Sequence, residues 1–398
     1  MTQAQYPLPA RVLMVESGSG HGGSGQSMLR LCRCLRAEHA AEAQILPAVL
    51  HSSAEFFFKS NGFPCHRIAG RWWLARFLAM RRLVRDLTPD IVHANNTPYE
   101  QRHLLMAAFL QGAAISCHIR SSRPLTRWEH WLLTRSAYAF GVSRSALRCL
   151  ESVTPQTRRL WREIAEAIEP GLSDTPVEGV EVDVIASAAS ARAEARQELG
   201  IAREAIAVLL PATLQPGKGQ REALAAAAQL RQSSPPVVWL LAGEEHHQSA
   251  GFRRWLEAEI AAAGLADRFR LLGHRDDMPR LLASCDIVAL PSLLTEGMPC
   301  SILEALAAGR PIAASAVGGI PEIVDSEVGA LLPPGDSAAL AVAISRLAAD
   351  PVLRQRCGEA GRRRAIERYD IRRAAARMAK VFQAIARMKR RDARANPY

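Results

Sequence analysis

Short apolar runs alternate along this chain with longer stretches of helical character, and this alternation restricts the fold more than any other feature of the sequence. The runs expected to form strands are residues 11–15, 44–50, 89–96, 113–120, 137–143, 205–210, 237–242, 269–272 and 286–290. Helices are expected between them, for example at residues 26–35, 220–230 and 301–308. Strands that alternate with helices are typical of parallel sheets, so the sequence predicts the α/β fold class.

Length and composition indicate more than one domain. The chain has 398 residues, of which 48% are hydrophobic and 22% charged, and these values support large buried cores. Two α/β domains are expected, joined by a connecting segment at about residues 170–190, which is rich in Pro, Gly, Ser and Asp at its start. No stretch approaches the roughly 18 apolar residues of a membrane span, and residues 1–10 lack a signal-peptide pattern. A cytoplasmic protein is therefore expected.

Charge and cysteine content narrow the classes of ligand. The eight cysteines follow no zinc-binding spacing, so reduced thiols and no metal site are expected. The net charge of +11 makes a polyanionic partner plausible. Aromatic residues make up only 6%, and no nucleic-acid recognition pattern is present, which favours phosphate on a small ligand or a lipid headgroup over nucleic acid. Arginines that merely solvate the surface explain any single basic cluster equally well.

Two carboxylates border one strand-to-helix turn. Glu296 lies in the turn after the expected strand 286–290, and Glu304 lies in the helix that follows. Open parallel sheets bind ligands where strands end and helices begin, and a carboxylate can accept hydrogen bonds from two adjacent sugar hydroxyls. A simpler interpretation remains open, in which Glu296 favours the helix start and Glu304 is a solvated helix residue.

Two other strand-to-helix turns contain glycines. The first, residues 16–25, includes Gly22 and Gly23, where backbone amides can approach an anion closely. Its spacing fits neither the dinucleotide fingerprint nor a P-loop, so taken alone it is a weak signal. The second, residues 212–219, contains Lys218, whose ammonium group can neutralise the charge that grows on a departing diphosphate.

The flanks of the two glutamates carry a family resemblance. The segments Glu296-Gly297-Met298-Pro299 and Glu304-Ala305-Leu306-Ala307-Ala308-Gly309-Arg310-Pro311, with the glycine loop at residues 317–322, resemble the nucleotide-sugar site of retaining glycosyltransferases of family 4. The resemblance implies the GT-B fold, in which two Rossmann-like domains face each other across a cleft and a C-terminal helix crosses back to the N-terminal domain. The expected parts are an acceptor-binding domain at 1–175, a connecting segment at 176–204, a nucleotide-sugar-binding domain at 205–370 and the returning helix at 371–398.

The same resemblance implies a role for each site residue. Glu304 is expected to bind the donor ribose, Glu296 to contact the transferred sugar, and Lys218 to stabilise the leaving diphosphate. His118, at the end of the strand 113–120, is expected near the donor sugar and the acceptor, although a structural role is the alternative. The expected catalytic residues are Glu296, His118 and Lys218. The expected donor-binding residues are Gly22, Gly23, Thr213, Lys218, Glu296, Gly297, Met298, Pro299, Cys300, Glu304, Gly318 and Gly319.

The implied activity is that of a metal-independent retaining hexosyltransferase without a cofactor. It would move a sugar from a nucleotide-diphosphate sugar to a hydroxyl of a glycan or lipid-linked acceptor, in bacterial polysaccharide or glycolipid synthesis. The family's Lys-Gly motif usually carries an Arg five residues before the Lys, and here that position is Thr213, which leaves Lys218, loop amides and Arg221 to hold the diphosphate. This departure keeps open a catalytically weak or silent GT-B partner protein. A GT-B-type sugar-nucleotide epimerase is a further alternative, since fold does not settle function.

Residues 71–85, from Arg71 to Arg85, suggest a membrane contact. They combine Trp72 and Trp73 with Phe, Leu and five arginines at near-helical spacing, which is typical of a helix that lies on an anionic membrane. Core packing explains the Leu, Phe and Met residues equally well. The paired tryptophans favour a lipid or lipid-linked acceptor, so a peripheral contact with the inner face of the cytoplasmic membrane is expected, and no nucleic-acid partner.

Overall fold

The computed structural model describes residues 9–18, 20, 22–96, 98–120, 123–166, 168, 177–246 and 248–395, without the side chains of residues 98–100 and 392–395. The description leaves out Ser19 and His21 of the first glycine loop, residues 169–176 at the start of the expected connecting segment, and residues 396–398 at the end of the chain. The chain divides into two compact units. Unit 1 contains Met1–Gly179 together with Ile371–Tyr398, and unit 2 contains Val180–Asp370.

Strands and helices alternate in both units. The strands are β1 (Ala10–Glu16), β2 (Ala43–Val49), β3 (His66–Arg67), β4 (Ile91–Ala94), β5 (Ala114–Ile119), β6 (Tyr138–Gly141), β7 (Ile206–Pro211), β8 (Val237–Ala242), β9 (Phe269–Gly273), β10 (Ile287–Leu290), β11 (Ile312–Ser315) and β12 (Gly329–Leu332). The helices are α1 (Gly23–Glu38), α2 (Ser52–Ser60), α3 (Trp73–Leu87), α4 (Pro98–Leu110), α5 (Arg127–Leu133), α6 (Arg144–Leu147), α7 (Pro155–Glu166), α8 (Val182–Ser187), α9 (Arg192–Glu198), α10 (Gln220–Gln229), α11 (Phe252–Ala262), α12 (Met278–Ser284), α13 (Cys300–Ala307), α14 (Ser337–Ala349), α15 (Pro351–Arg368) and α16 (Ile371–Ala395).

Each unit contains one six-stranded parallel sheet. The strand order is β3-β2-β1-β4-β5-β6 in unit 1 and β12-β11-β10-β7-β8-β9 in unit 2. The order of the strands along the chain reverses between β1 and β4 in unit 1 and between β7 and β10 in unit 2. Crevices at such reversal points are the usual ligand sites of doubly wound sheets. The expected α/β class with two Rossmann-like domains is confirmed.

The last helix completes the core of the first unit. α16 packs against α1, α7 and the strands β1, β2, β4 and β5, and its Met378, Val381 and Phe382 are fully buried. The chain therefore returns to unit 1 after unit 2, as the expected GT-B architecture requires. The core of unit 2 lies between its sheet and helices that include α10, α11 and α14, around the fully buried Trp239 and Leu256.

The expected connecting segment differs from the structure. From Val180 onwards the chain belongs to unit 2, and within it α8 and α9 pack against α12. Val182 and Ile185, three residues apart on α8, are both buried. Two apolar residues at helical spacing were too few to suggest a helix, although they suffice when the neighbouring helices cover them. Among the described residues, no helix is long and apolar enough to cross a membrane.

Candidate functional site

The loops that follow β7 and β10 meet at the reversal point of the second sheet. The carbonyl oxygen of Gly217 accepts hydrogen bonds from the amides of Leu293 (2.8 Å) and Leu294 (3.2 Å). Gly219 has φ +89°, and a Cβ atom on it would lie 2.5 Å from the carbonyl oxygen of Pro291. Both the left-handed backbone and the close approach require glycine here. The two loops are thus joined through their backbones.

A third loop, after β11, holds the backbone of Glu296 in place. The amide of Gly319 donates to the carbonyl oxygen of Glu296 at 2.8 Å. Gly318 has φ +56°, and a Cβ atom on it would overlap that same oxygen. Gly318 and Gly319 therefore bring this loop against Glu296, and the turn that carries the glutamate is supported from one side by backbone contacts.

Lys218 and Glu296 form an ion pair between the first two loops. Lys218 Nζ donates to Glu296 Oε1 at 2.6 Å, and Ser292 Oγ donates to the same oxygen at 2.8 Å. The side chains of Lys218 and Glu296 are 20% and 13% exposed, so the pair is mostly shielded from water but remains reachable. An ammonium and a carboxylate in this arrangement can bind a phosphate oxygen and a sugar hydroxyl side by side.

Glu304 lies one turn into α13, directly after this turn. The helix begins at Cys300 with Pro299 in extended conformation as its N-cap, and Glu304 is only 6% exposed. Met298 is also buried, whereas Gly297, Pro299 and Cys300 are half-buried. The interpretation of Glu304 as a solvated helix residue is therefore wrong. A carboxylate enclosed to this degree requires polar partners to offset its desolvation.

Two other residues of unit 2 that were expected to bind the donor, Thr213 and Arg221, contact neighbours other than Glu296. Thr213 is exposed, and its carbonyl oxygen accepts from Gln220 Nε2 at 2.9 Å. The guanidinium carbon of Arg221, in the first turn of α10, lies 4.3 Å from the centre of the Trp255 ring. That stacking occupies Arg221 with a neighbour on α11. Lys218 is therefore the cation that the structure places directly beside Glu296.

In unit 1 the expected glycines are found at the start of α1. The helix begins at Gly23, three residues earlier than the sequence indicated, and Gly22 is its N-cap. Both glycines are exposed, and a Cβ atom on either would meet nothing within 4 Å. Crowding therefore does not explain why these positions are glycine. Both glycines lie at the positive end of the helix dipole.

His118 is enclosed in the core of unit 1, which corrects the expected substrate contact. β5 continues to Ile119, so His118 lies within the strand and its ring packs against His93 and Phe140. Its Nε2 lies 2.8 Å from the carbonyl oxygen of Val177. Burial, and secondarily the charge of Arg120, lowers the pKa of His118 well below its usual value. The side chain is a neutral core histidine, for which the sequence left a structural role open.

A buried polar network beneath the first glycine loop was not identified from the sequence. Glu16, fully buried at the end of β1, accepts from the amide of Gly18 (2.7 Å), Asn96 Nδ2 (2.7 Å) and Asn95 Nδ2 (2.5 Å). Arg120 continues the network from the end of β5 by donating to the carbonyl oxygen of Asn95 at 2.6 Å. The signal available in the sequence was a charged residue directly after each of two apolar runs. These side chains support the loop at the reversal point of the first sheet.

No three His, Cys, Asp or Glu side chains of the described residues form a group that could hold a metal ion. All eight cysteines are among those residues, and none of them forms a disulfide bond. Cys285, buried beside the β10 strand, has its pKa raised to about 12 by desolvation. A thiol with so high a pKa is an apolar packing group and a poor nucleophile.

Comparisons with known proteins agree with this arrangement. The family model for glycosyl transferases group 1 matches residues 191–364. Glycogen synthase of Mycobacterium tuberculosis is 28% identical over 84% of this chain and 79% of its own length. The GDP-mannose-dependent alpha-(1-6)-phosphatidylinositol monomannoside mannosyltransferase of Mycolicibacterium smegmatis is 30% identical over 64% of this chain and 67% of its own length.

The fold has close structural counterparts. The crystal structure of Anabaena HepE in complex with UDP superposes with a TM-score of 0.78 and covers 94% of this chain and all of that one, at 21% sequence identity. At this identity the likeness concerns the fold alone. Together with the sequence relatives and the two parallel sheets, it leads to one conclusion: the chain belongs to the glycosyl transferases group 1 family and is a glycosyltransferase of the GT-B fold.

Proposed function

We propose that this glycosyltransferase is a metal-independent, retaining hexosyltransferase of family 4 that uses a nucleoside diphosphate sugar as donor. The observation that carries the proposal is the ion pair between Lys218 Nζ and Glu296 Oε1, 2.6 Å apart at the reversal point of the second sheet. A cation for the leaving diphosphate and an acceptor for sugar hydroxyls are the two groups that transfer from such a donor needs.

The roles follow from the surroundings of each group. Lys218 neutralises the charge that develops on the diphosphate as the bond between its oxygen and the anomeric carbon breaks. Glu296 accepts hydrogen bonds from the transferred sugar, and Glu304 accepts them from the ribose. The amide of Gly318 supplies a further donor, whereas that of Gly319 donates to the carbonyl oxygen of Glu296 and positions the turn. Gly22 and Gly23 are retained as amide donors from the family resemblance.

Retention is proposed to follow from attack on the face that the diphosphate leaves. The acceptor oxygen forms its bond to the anomeric carbon on that face, and its proton passes to the departing diphosphate oxygen. No carboxylate then has to act as a base, and catalysis depends on holding the two reactants together and on stabilising the leaving group. His118 has no part in this scheme because its ring is buried in the core of unit 1.

The relatives support a nucleotide-sugar donor and a glycan or lipid-linked acceptor. The Mycolicibacterium relative is described as GDP-mannose-dependent and acts on a phosphatidylinositol monomannoside, and the Mycobacterium relative is a glycogen synthase. Anabaena HepE was crystallised with UDP. We extend this to polysaccharide or glycolipid synthesis, with a peripheral membrane contact through residues 71–85 when the acceptor is a lipid.

The proposal is tested by thermal unfolding of the purified protein with UDP, GDP, ADP and NAD. A ligand that binds only the folded state raises the melting temperature, and no acceptor need be known. We expect one nucleoside diphosphate to stabilise the protein and NAD to have no effect. Lys218→Ala should abolish that shift, and the shift of the wild-type protein should survive excess EDTA.

Lys59→Ala is the matched control, since Lys59 Nζ also lies 2.7 Å from a glutamate, Glu55, but on α2, where the Lys59 side chain is 56% exposed. This variant should keep the full nucleotide shift. If no nucleoside diphosphate stabilises the wild-type protein, a silent GT-B partner protein replaces the enzyme as the better reading. If Lys218→Ala keeps the shift, the diphosphate is held elsewhere and the site assignment fails.

A further inference from the structure

Aromatic and aliphatic side chains are exposed together on three neighbouring helices of unit 1. Trp72, Trp73 and Trp128 are 71%, 59% and 56% exposed, and Leu78, Phe109 and Leu110 are exposed as well. α3 packs against α4, and α4 packs against α5. We call these six residues the three-helix surface. It extends over two helices that the sequence did not associate with residues 71–85.

Ring contacts link the helices of this surface. The ring of Trp73 on α3 lies 5.5 Å from that of His103 on α4. Farther along α4, Phe109 contacts Trp131 of α5 at 6.1 Å, and Trp131 contacts Trp128 at 6.0 Å. Of the exposed tryptophans, Trp73 thus contacts a ring on a neighbouring helix, and Trp128 contacts Trp131 on its own helix, which in turn contacts α4. Isolated exposed apolar residues are common, but a contiguous group across three helices indicates an interaction site.

The core of unit 1 does not account for these side chains. On α3 the buried residues are Met80, in the middle of the helix, and Val84, in its second half. The first half, from Trp72 to Leu78, is largely exposed. Packing against the sheet therefore uses one end of α3 and leaves the aromatic end to solvent. Core packing therefore does not explain the exposed side chains in the first half of the helix.

Basic side chains outnumber acidic ones among the described side chains around the surface. Arg71, Arg81, Arg82, Arg127 and Arg135 are exposed on or beside these helices. The structure describes two acidic side chains on α3 to α5. Asp86 pairs with Arg85 at 3.0 Å, and the buried Glu129 pairs with Arg123 at 2.6 Å. The surface thus complements an anionic partner, and two copies of this chain would repel each other across it.

We propose that the three-helix surface docks unit 1 on an anionic lipid bilayer. Tryptophan prefers the interface between headgroups and acyl chains, Leu and Phe insert below it, and arginines pair with lipid phosphates. Bases of a nucleic acid would stack on the tryptophans but would leave Leu78 and Leu110 without a partner. The proposal deepens the membrane contact of the proposed function, and does not depend on the identity of the donor.

The test is co-sedimentation of the full-length protein with vesicles, without donor or acceptor. Vesicles of phosphatidylcholine with phosphatidylglycerol should bind the protein about tenfold more strongly than vesicles of phosphatidylcholine alone. Trp72→Ser combined with Trp73→Ser should weaken binding to the anionic vesicles about tenfold. Arg81→Glu combined with Arg82→Glu should weaken it comparably, and both variants should melt near the wild-type temperature because these side chains are exposed.

Arg362→Glu combined with Arg363→Glu, on the exposed face of α15 in unit 2, is the matched control for charge and should bind like the wild type. Absence of wild-type binding to anionic vesicles overturns the proposal, as does equal loss in the control variant. The proposal is also overturned if the tryptophan variant still binds vesicles but no longer forms an oligonucleotide complex or a dimer that the wild-type protein forms. Lys218→Ala should bind vesicles normally, which separates failure of this proposal from failure of the donor site.

Discussion

Glu296 and Glu304 carry the same functional group in different surroundings, and this difference separates their expected roles. Glu296 is reachable and shares its Oε1 between Lys218 and Ser292, whereas Glu304 is buried within α13. Glu296, beside the group expected to bind the departing diphosphate, is expected to stabilise the transition state as the bond breaks. Glu304, which is expected to hold the ribose, stabilises the bound substrate and the transition state equally. The first role affects turnover and the second affects affinity.

Glu304→Gln is expected to weaken binding of the cognate nucleoside diphosphate about tenfold while changing kcat little. The substitution removes the charge of the carboxylate that accepts hydrogen bonds from the ribose. Glu296→Gln should instead lower kcat about a hundredfold and leave nucleotide affinity near the wild-type value. Calorimetric titration and steady-state kinetics on both variants measure these effects. Unchanged affinity in a folded Glu304→Gln protein would remove the ribose contact from the proposal.

The two core histidines of unit 1 make its stability depend on pH. Burial lowers the pKa of His93 to about 3, and it also lowers that of His118. Between about pH 6.5 and the lowered pKa of His93, this histidine binds a proton in the unfolded chain but not in the folded chain. The free energy of unfolding therefore falls as the pH falls. From about pH 7.5 to about pH 5 the loss should be about 2 kcal/mol for His93 alone.

Urea unfolding at the two pH values measures this loss. His93→Gln should reduce the dependence on pH by roughly the contribution of one histidine. His66→Gln is the control, because His66 is exposed on the edge strand β3, and it should leave the dependence unchanged. If His93→Gln and the wild-type protein show the same pH dependence, His93 is not the source of the loss of stability at low pH, and the prediction is wrong.

At the scale of elements, the sequence was informative wherever a pattern is repeated and local. Nine of the twelve described strands contain the apolar runs identified in the sequence, and β10, the turn with Glu296 and α13 were expected within one or two residues. The short strands β3, β11 and β12 were not expected. Contacts between distant segments were not accessible. The enclosure of His118 depends on Val177, Phe140 and the ring of His93, and no local pattern records those neighbours.

The segment read as a connection shows the same limit. α9 is held to the second sheet by charge rather than by an apolar stripe: Arg192 NH2 and Arg196 NH1 donate to Asp286 at 2.5 and 3.0 Å. Asp286 also accepts from the amide of Ala207 on β7 at 2.9 Å. A hydrophobic period cannot predict a helix attached in this way, because the partners are about ninety residues apart.

Removing Asp286 should therefore destabilise unit 2. Asp286→Ala leaves the largely buried Arg196 without its carboxylate, and breaking such a pair typically costs about 3 kcal/mol or more. The expected result is a lower urea midpoint for unit 2, with hydrogen exchange increased in α9. Asp267→Ala, which removes an exposed carboxylate beside Arg268, is the control and should have little effect. Equal midpoints for the two variants would mean that α9 is held by other contacts.

At the scale of the whole molecule, the first unit is built from both ends of the chain. Its sheet is complete within the first 179 residues, yet α16, from the other end of the chain, packs against four of its strands. Met378, Val381 and Phe382 have no exposed surface, and Lys389 Nζ donates to the carbonyl oxygen of Asp90 at 3.3 Å. Unit 2, in contrast, is continuous from Val180 to Asp370 and contains its own core.

A chain that ends after Asp370 should lose the fold of unit 1 and keep that of unit 2. Typical domains are stable by about 5 to 15 kcal/mol, and loss of several fully buried side chains of α16 removes a comparable amount. Phe382→Ala is the milder test and should cost about 3 to 5 kcal/mol in unit 1. Met388→Ala on the same helix is the control, because Met388 is exposed. Urea unfolding with hydrogen exchange distinguishes the units, and a truncated chain in which β1 and β4 remain protected would show that unit 1 folds without its last helix.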